Sequence, residues 1–103
     1  MNELENELIS ELEKIISLLE YYQEKNWSNH FYKIKDLIDN KNIDGINSLR
    51  KLFVGGMGSF NDFYISKING KELEKNEIKS ANQKLKELGK SISDLAFKIK
   101  NKT

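Results

Sequence analysis

The chain contains no cysteine and no proline, and it has a single histidine, His30, and a single arginine, Arg50. Without cysteine, neither a disulfide framework nor a thiolate metal site can form, and one histidine leaves only carboxylates to complete a zinc site. The absence of proline removes the most common helix breaker and favours long helices. We therefore expect no metal and no other cofactor.

Long apolar runs are also lacking, since none approaches the ~20 residues that a membrane-spanning helix requires. The first seven residues, Met-Asn-Glu-Leu-Glu-Asn-Glu, are acidic where a secretory signal peptide is basic. The polar face of this segment is strongly acidic as well, which disfavours binding to a membrane surface. These features predict a cytoplasmic protein without a membrane partner.

Length and composition favour one small helical domain over residues 1–103. Apolar residues make up 38% of the chain and charged residues 32%, a balance that fits amphipathic helices with one narrow apolar stripe each. Disorder is disfavoured because the net charge is only +1.

Apolar side chains recur with steps of three and four, as on one face of a helix. Asn26 is the expected N-cap of the second helix, and Ile43 is assigned to the apolar face of the third. The predicted helices span about residues 2–23, 27–38, 44–53 and 72–100. The sequence therefore predicts an all-α fold, a compact bundle of about four helices with an ordered, glycine-rich irregular connection at residues 54–70.

The last helix has the most regular pattern, with apolar residues at heptad spacing from Ile78 to Ile99. Such a seam packs either inside a bundle or against a second chain, so both a monomer and a homodimer are open. Gly89 interrupts the pattern and indicates a close helix crossing or a slight bend.

Charge is unevenly distributed along the chain. Residues 1–25 hold seven glutamates and two lysines, whereas residues 79–103 hold seven lysines and two acidic residues. Compensation of helix dipoles, packing of the two segments side by side, and docking of a basic partner all explain this pattern. The candidate partner-binding residues are Glu7, Glu11, Glu20 and Glu24. Nucleic-acid binding is not expected, because the total charge is balanced and the lysines are scattered.

Catalytic groups are sparse, and we expect no enzyme activity. His30 borders the apolar stripe of the second helix, where a partly buried structural role and a catalytic role are both conceivable. The run Gly55-Gly56-Met57-Gly58 lacks the lysine and the preceding strand of a phosphate-binding loop. Its alternatives are an anion-binding nest and a tight turn in which Met57 and Phe60 plug the bundle.

One stretch resembles a known pattern: Gly55-Gly56-Met57-Gly58-Ser59-Phe60-Asn61-Asp62. With Asn26-Trp27-Ser28 before it and Ile68-Asn69-Gly70 after it, the chain is similar to a family of small bacterial proteins. These proteins carry a GGMGS-aromatic-or-Leu-ND core after two or three helices and a final helix after an NG turn. The resemblance implies that the loop residues are a shared feature of the family.

By analogy, the small size, the lack of catalytic residues and the acidic first helix look like those of immunity proteins that neutralise bacterial toxins. The expected function is a non-enzymatic protein-binding module, an immunity or antitoxin-type inhibitor whose partner is a basic toxin. Two alternatives stay open. One is a homo-oligomeric module built on the seam, and the other is a small-ligand-binding protein that uses the Gly55–Asp62 loop with Tyr64 and His30.

Overall fold

The computed structural model describes residues 3–53, 60, 63–68 and 70–102, and its regular elements are four helices and one minimal hairpin. The elements, in chain order, are α1 (Glu3–Tyr21), α2 (Lys25–Asp39), α3 (Ile43–Phe53), β1 (Lys67–Ile68), β2 (Lys71–Glu72) and α4 (Lys75–Lys102). The predicted all-α bundle of four helices is confirmed. Of the predicted irregular connection, residues 54–59, 61, 62 and 69 lie outside the described residues.

The four helices pack in the order in which they occur. α1 contacts α2 and α4, and α3 contacts the same two helices, so each helix has two neighbours. The apolar stripes meet in one core, because each helix must bury its stripe against the others. The fully buried members with large side chains are Leu8, Leu12, Ile15, Leu19, Phe31, Leu49, Ile65 and Ile92.

The turn between α1 and α2 explains why the predicted N-cap is wrong. α1 ends at Tyr21, and Gln23 takes a left-handed conformation with φ 61°. The Glu24 N–H then donates to the Leu19 carbonyl at 2.8 Å and the Gln23 N–H to the Glu20 carbonyl at 3.0 Å, as in a Schellman motif. Only Glu24 separates Gln23 from the start of α2, so Glu24 takes the N-cap position and Asn26 lies inside that helix.

The start of α3 also differs from the prediction. Asn42 Oδ1 accepts the Asp44 N–H at 3.0 Å and thereby caps the helix. Ile43 is the first helical residue and is 48% exposed, so its assignment to the apolar face is wrong. The face toward α2 is set instead by Gly45, which is buried beside Leu37 and Ile38.

The hairpin explains why the last helix begins later than residue 72. Glu72 pairs with Lys67 and Lys71 with Ile68 in an antiparallel register, and Gly70 has φ 77°. A glycine adopts this conformation at little steric cost, as the predicted turn at this position requires. Within residues 63–68, only Lys67 and Ile68 are in a strand.

The two helical glycines should respond differently to alanine. A Cβ atom at Gly45 would lie 2.7 Å from Ile38 Cγ1 and 3.2 Å from the Ile34 carbonyl oxygen, whereas one at Gly89 would meet the Phe53 ring at 3.3 Å. We expect Gly45→Ala to lower the free energy of unfolding by about 1–2 kcal/mol, because the backbone of α2 cannot move away.

Gly89→Ala should leave that free energy unchanged or raise it by up to about 1 kcal/mol, since the ring can shift and alanine favours a helix. Urea denaturation of both variants measures the difference. Equal destabilisation by the two substitutions would contradict the close approach of α3 to α2 at Gly45.

Candidate functional site

The four glutamates predicted to bind a partner do not share one face. Glu7 and Glu11 lie one turn apart on α1, but Glu20 follows Glu11 by nine residues, about two and a half turns, and lies on the opposite side. Glu24 lies outside α1, at the N-cap of α2, and is half-buried. Glu7 and Glu20 are exposed.

Glu11 has a structural role between α1 and α4. Its Oε2 atom lies 2.8 Å from Lys14 Nζ, and its Oε1 atom accepts a hydrogen bond from the Ser91 hydroxyl at 2.8 Å. The Lys14 contact first, and the Ser91 hydroxyl second, lower the pKa of the Glu11 carboxyl below its ordinary value. Glu11 is therefore less available to a partner than Glu7 or Glu20.

The contacts of Glu11 predict which of two substitutions raises its pKa more. Lys14→Gln should raise the pKa of Glu11 more than Ser91→Ala does, because the Lys14 contact contributes the larger lowering. The folded-state pKa of Glu11 is depressed, so this carboxylate stabilises the fold above its unfolded pKa and loses that contribution as pH falls through its folded pKa. A carboxyl-detected NMR titration of the two variants measures the order, and the reverse order would contradict these contacts.

A second polar contact joins α4 to Tyr22, the residue that follows α1. The Tyr22 hydroxyl donates to Glu77 Oε2 at 3.2 Å, and Tyr22 is only 8% exposed. Burial, followed by the Glu77 contact, raises the pKa of Tyr22. The acidic α1 and the basic α4 therefore do pack side by side, and the polar contacts between these segments include Ser91 with Glu11 and Tyr22 with Glu77.

The four exposed glutamates of α1 are Glu3, Glu7, Glu13 and Glu20, and we call them together the acidic surface of α1. Glu3 and Glu7 lie on one side of the helix, and Glu13 and Glu20, seven residues apart, lie on a neighbouring side. In the part of the chain that the structure describes, none of the four makes an ion pair. Glu3 and Glu7 are four residues apart, and Glu7 and Glu11 are again four apart. Like charges at this spacing repel one another and destabilise a helix by about 0.2–0.5 kcal/mol per pair. The sequence prediction omits Glu3 and Glu13, although their positions on the helix, read from the sequence, are enough to find them.

Most of the glycine-rich loop predicted as a shared feature lies outside the described residues, namely Gly55, Gly56, Met57, Gly58, Ser59, Asn61 and Asp62. Phe60 is described, is 4% exposed, and confirms the expectation that its ring plugs the bundle. Its ring centroid lies 4.9 Å from those of Trp27 and Phe31 and 5.7 Å from those of Phe53 and Phe63. We call these five residues the aromatic cluster.

His30 is exposed beside Trp27, with the ring centroids 6.1 Å apart, so the expectation of a partly buried histidine is wrong. It does not line the groove in which Tyr64 lies, so the structure does not bring together the two side chains of the ligand-binding alternative. Among the described residues there is no group of three or more side chains that could hold a metal ion. The same residues include no helix long and apolar enough to cross a membrane.

The apolar seam of α4 is used inside the bundle. Ala81, Leu85, Leu88, Ile92, Leu95 and Ile99 are all buried. The outer side of the helix has a different pattern, in which Lys75, Lys79, Lys86 and Lys90 follow one another at intervals of four, seven and four residues. These intervals place all four on one side of α4. We call them the lysine stripe; the expectation that helical spacing scatters the C-terminal lysines does not hold for Lys79, Lys86 and Lys90.

The chain matches the model of one protein family. The match covers residues 20–74, which is more than half of the chain, and the family is described as a domain of unknown function (DUF6966). No curated protein and no solved structure matches the chain. All five members of the aromatic cluster lie within the matched residues, whereas most of α1 and the whole of α4 lie outside them. The chain belongs to the DUF6966 family.

Proposed function

We propose that this protein is a non-enzymatic protein-binding module, an immunity or antitoxin-type inhibitor that binds a basic toxin through the acidic surface of α1. The observation that carries the proposal is the exposure of Glu3, Glu7, Glu13 and Glu20 without an ion pair among the described residues. α1 has six glutamates and one lysine, a net charge of −5 on one short helix of a nearly neutral protein.

Repulsion within α1 supports this proposal. The spacing of Glu3 and Glu7 places two like charges one turn apart, which costs stability in the free protein, and a basic partner would relieve that cost on binding. The negative electrostatic field of the acidic surface would also steer a positively charged partner toward α1 and speed association. Such a helix would cover a toxin surface that attracts acidic substrates, for example a surface that binds nucleic acid.

The extent of the family match gives further support. The aromatic cluster lies in the matched part of the chain, and nearly all of the acidic surface lies before it. A shared core that carries a separate recognition helix suits an inhibitor family whose members bind different toxins. The resemblance to small bacterial proteins that carry a GGMGS-aromatic-ND loop is part of this same proposal.

The proposal is tested by neutralisation. A tagged copy is used to capture partners from the native host, and a captured protein is then expressed alone and together with this chain. We expect the captured protein to arrest growth alone and to be neutralised on co-expression. Glu7→Lys, Glu13→Lys and Glu20→Lys in one chain should abolish neutralisation.

The matched control carries the same change of charge elsewhere, as Asp36→Lys, Glu72→Lys and Glu74→Lys, three exposed positions outside α1. This control should neutralise as well as the unmodified chain. If both triple variants neutralise equally, or if no captured protein is toxic, the proposed function is wrong. Circular dichroism of both variants checks that the helices remain folded.

A further inference from the structure

A groove follows the outer side of α4, between that helix and the segment at residues 63–66. Its deeper half has a volume of about 690 Å³ and is lined by aromatic rings, among them Phe53, Phe63 and Tyr64, and by Leu85 and Gly89 of α4. Because Gly89 has no side chain, the Phe53 and Phe60 rings approach α4 closely there. We call this depression, with its continuation described next, the α4 groove.

The groove continues toward the start of α4. A shallower half of about 510 Å³ shares Tyr64, Asn82 and Lys86 with the deeper half and extends to Lys75 and Ile78. From Lys75 to Asp94, the last lining residue, the helix rises by about 28 Å at about 1.5 Å per residue. That length accommodates about eight residues of an extended peptide.

The lysine stripe borders this groove. Lys75, Lys79 and Lys86 line its shallower half, and Lys86 and Lys90 its deeper half. Over the described residues no ion pair involves any of these four lysines. The stripe itself contains no acidic residue, and Asp94 is the only carboxylate that lines either half as described. Among the described residues, the border of the groove therefore presents four lysines that no ion pair neutralises.

Tyr64 offers an apolar contact at the centre of the groove. It is 61% exposed, although its neighbour Ile65 is fully buried. The backbone beside it is fixed, because Asn82 bonds both the Ile65 N–H at 2.8 Å and the Ile65 carbonyl at 2.7 Å. Because this backbone is already fixed, the entropic cost of ordering the segment on binding is lower.

We propose that the α4 groove binds an acidic peptide segment of a partner protein, whose carboxylates pair with the lysine stripe and whose apolar side chain packs on Tyr64 and Phe63. This surface is distinct from the acidic surface of α1, and the inference does not rest on the proposed function. An acidic peptide fits better than a nucleic acid, because no arginine lines the groove among the described residues and its floor offers apolar contacts at Phe53, Phe63 and Leu85. Asp94 lies at the far end of the groove and would repel carboxylates and phosphates alike.

The test uses a synthetic peptide of about ten residues, consisting of glutamates with two leucines and one tryptophan. Binding to the ¹⁵N-labelled full chain is followed by NMR at low ionic strength. We expect shifts at Tyr64, Asn82, Lys86 and Gly89, and weaker binding when salt screens the charges. A peptide with glutamine in place of glutamate and a peptide with serine in place of the apolar residues should each bind less well.

Two variants that remove the same number of lysines from different surfaces show which lysines bind the peptide. Lys79→Gln, Lys86→Gln and Lys90→Gln together should weaken peptide binding by about tenfold, since each exposed pair contributes only a modest share. Lys33→Gln, Lys84→Gln and Lys98→Gln remove the same charge from other surfaces and should weaken it less than about twofold. Tyr64→Ser tests the apolar contact without loss of charge and should also weaken binding.

Three results would overturn the inference. The first is a peptide that leaves the amides of the groove unshifted at millimolar concentration. The second is equal weakening by the two lysine variants, which would indicate unspecific attraction. The third is tighter binding of an oligothymidine of similar charge, or of vesicles that contain phosphatidylglycerol, which would assign the stripe to a nucleic acid or to a membrane.

Discussion

Replacing Phe60 by alanine is expected to lower the free energy of unfolding by about 3–5 kcal/mol. The side chain is 4% exposed, and its ring lies against Trp27 and Phe31 with both pairs of ring planes close to perpendicular. Edge-to-face pairs of this kind add about 0.5–1.5 kcal/mol each to the burial of apolar area. Loss of the ring would leave a cavity among four other aromatic side chains, which cannot all move inward.

Chemical denaturation measures this change, and Phe97→Ala serves as the matched control. Phe97 is 55% exposed on the outer side of α4, so its truncation should change the free energy of unfolding by less than about 0.5 kcal/mol. A loss below about 1 kcal/mol for Phe60→Ala would mean that this ring does not hold α2, α3 and α4 together.

Replacing Asn82 by alanine should cost about 2–4 kcal/mol of unfolding free energy. Asn82 Oδ1 accepts the Ile65 N–H, and Asn82 Nδ2 donates to the carbonyls of Ile65 and Ile78 at 2.7 Å. Ile65 is fully buried, so its two backbone groups would lose their partner without gaining full access to water. The segment at residues 63–66 would then detach from α4 most readily.

Asn82→Asp separates the two halves of this contact. The introduced carboxylate keeps an acceptor for the Ile65 N–H but faces the carbonyls of Ile65 and Ile78 without a donor. Those carbonyls raise the pKa of the introduced carboxyl, so its folded state binds the proton more tightly than the unfolded state.

Stability of the Asn82→Asp variant relative to the unmodified chain should therefore be poorest near neutral pH and improve as pH falls through the raised pKa. Urea denaturation at pH 7 and at pH 5 measures this difference. A relative stability that stays constant between the two pH values would contradict the double role of Asn82 as donor and acceptor.

The helices could be predicted because apolar periodicity is a local property of the chain. Steps of three and four identified the buried faces of α1, α2 and α4 and placed the seam from Ile78 to Ile99 inside a helix. Gly89 indicated a close approach, and the structure places the Phe53 ring there. The NG turn at Gly70 likewise followed from local backbone preferences.

Other features depend on contacts between distant segments and left no local signal. His30 borders an apolar stripe, but the stripe's edge faces solvent in the bundle. Asn82 looks like any polar helix residue until the chain at Ile65 returns to it. The lysine stripe, in contrast, does have a local signal, because the helical phase of each lysine on α4 places four of them on one side. The net charge of residues 79–103 alone does not show this.

The family match and the charged surfaces together suggest how the domain is organised. The aromatic cluster occupies the matched residues 20–74 and holds the bundle together through Phe60. The lysine stripe and most of the acidic surface lie on the two helices that extend beyond the match. These two surfaces carry opposite charge, so a partner of one sign is expected to reach only one of them.

The most direct test of the central claim, that α1 recognises a basic toxin, is the association rate with the captured partner at low and at high salt. At low salt, the variant with Glu7→Lys, Glu13→Lys and Glu20→Lys should associate at least about tenfold more slowly than the unmodified chain, and the difference should shrink at high salt. The control with Asp36→Lys, Glu72→Lys and Glu74→Lys should associate nearly as fast as the unmodified chain. If the α1 variant binds its partner unchanged at low salt, the acidic surface is not the recognition surface and the account is wrong.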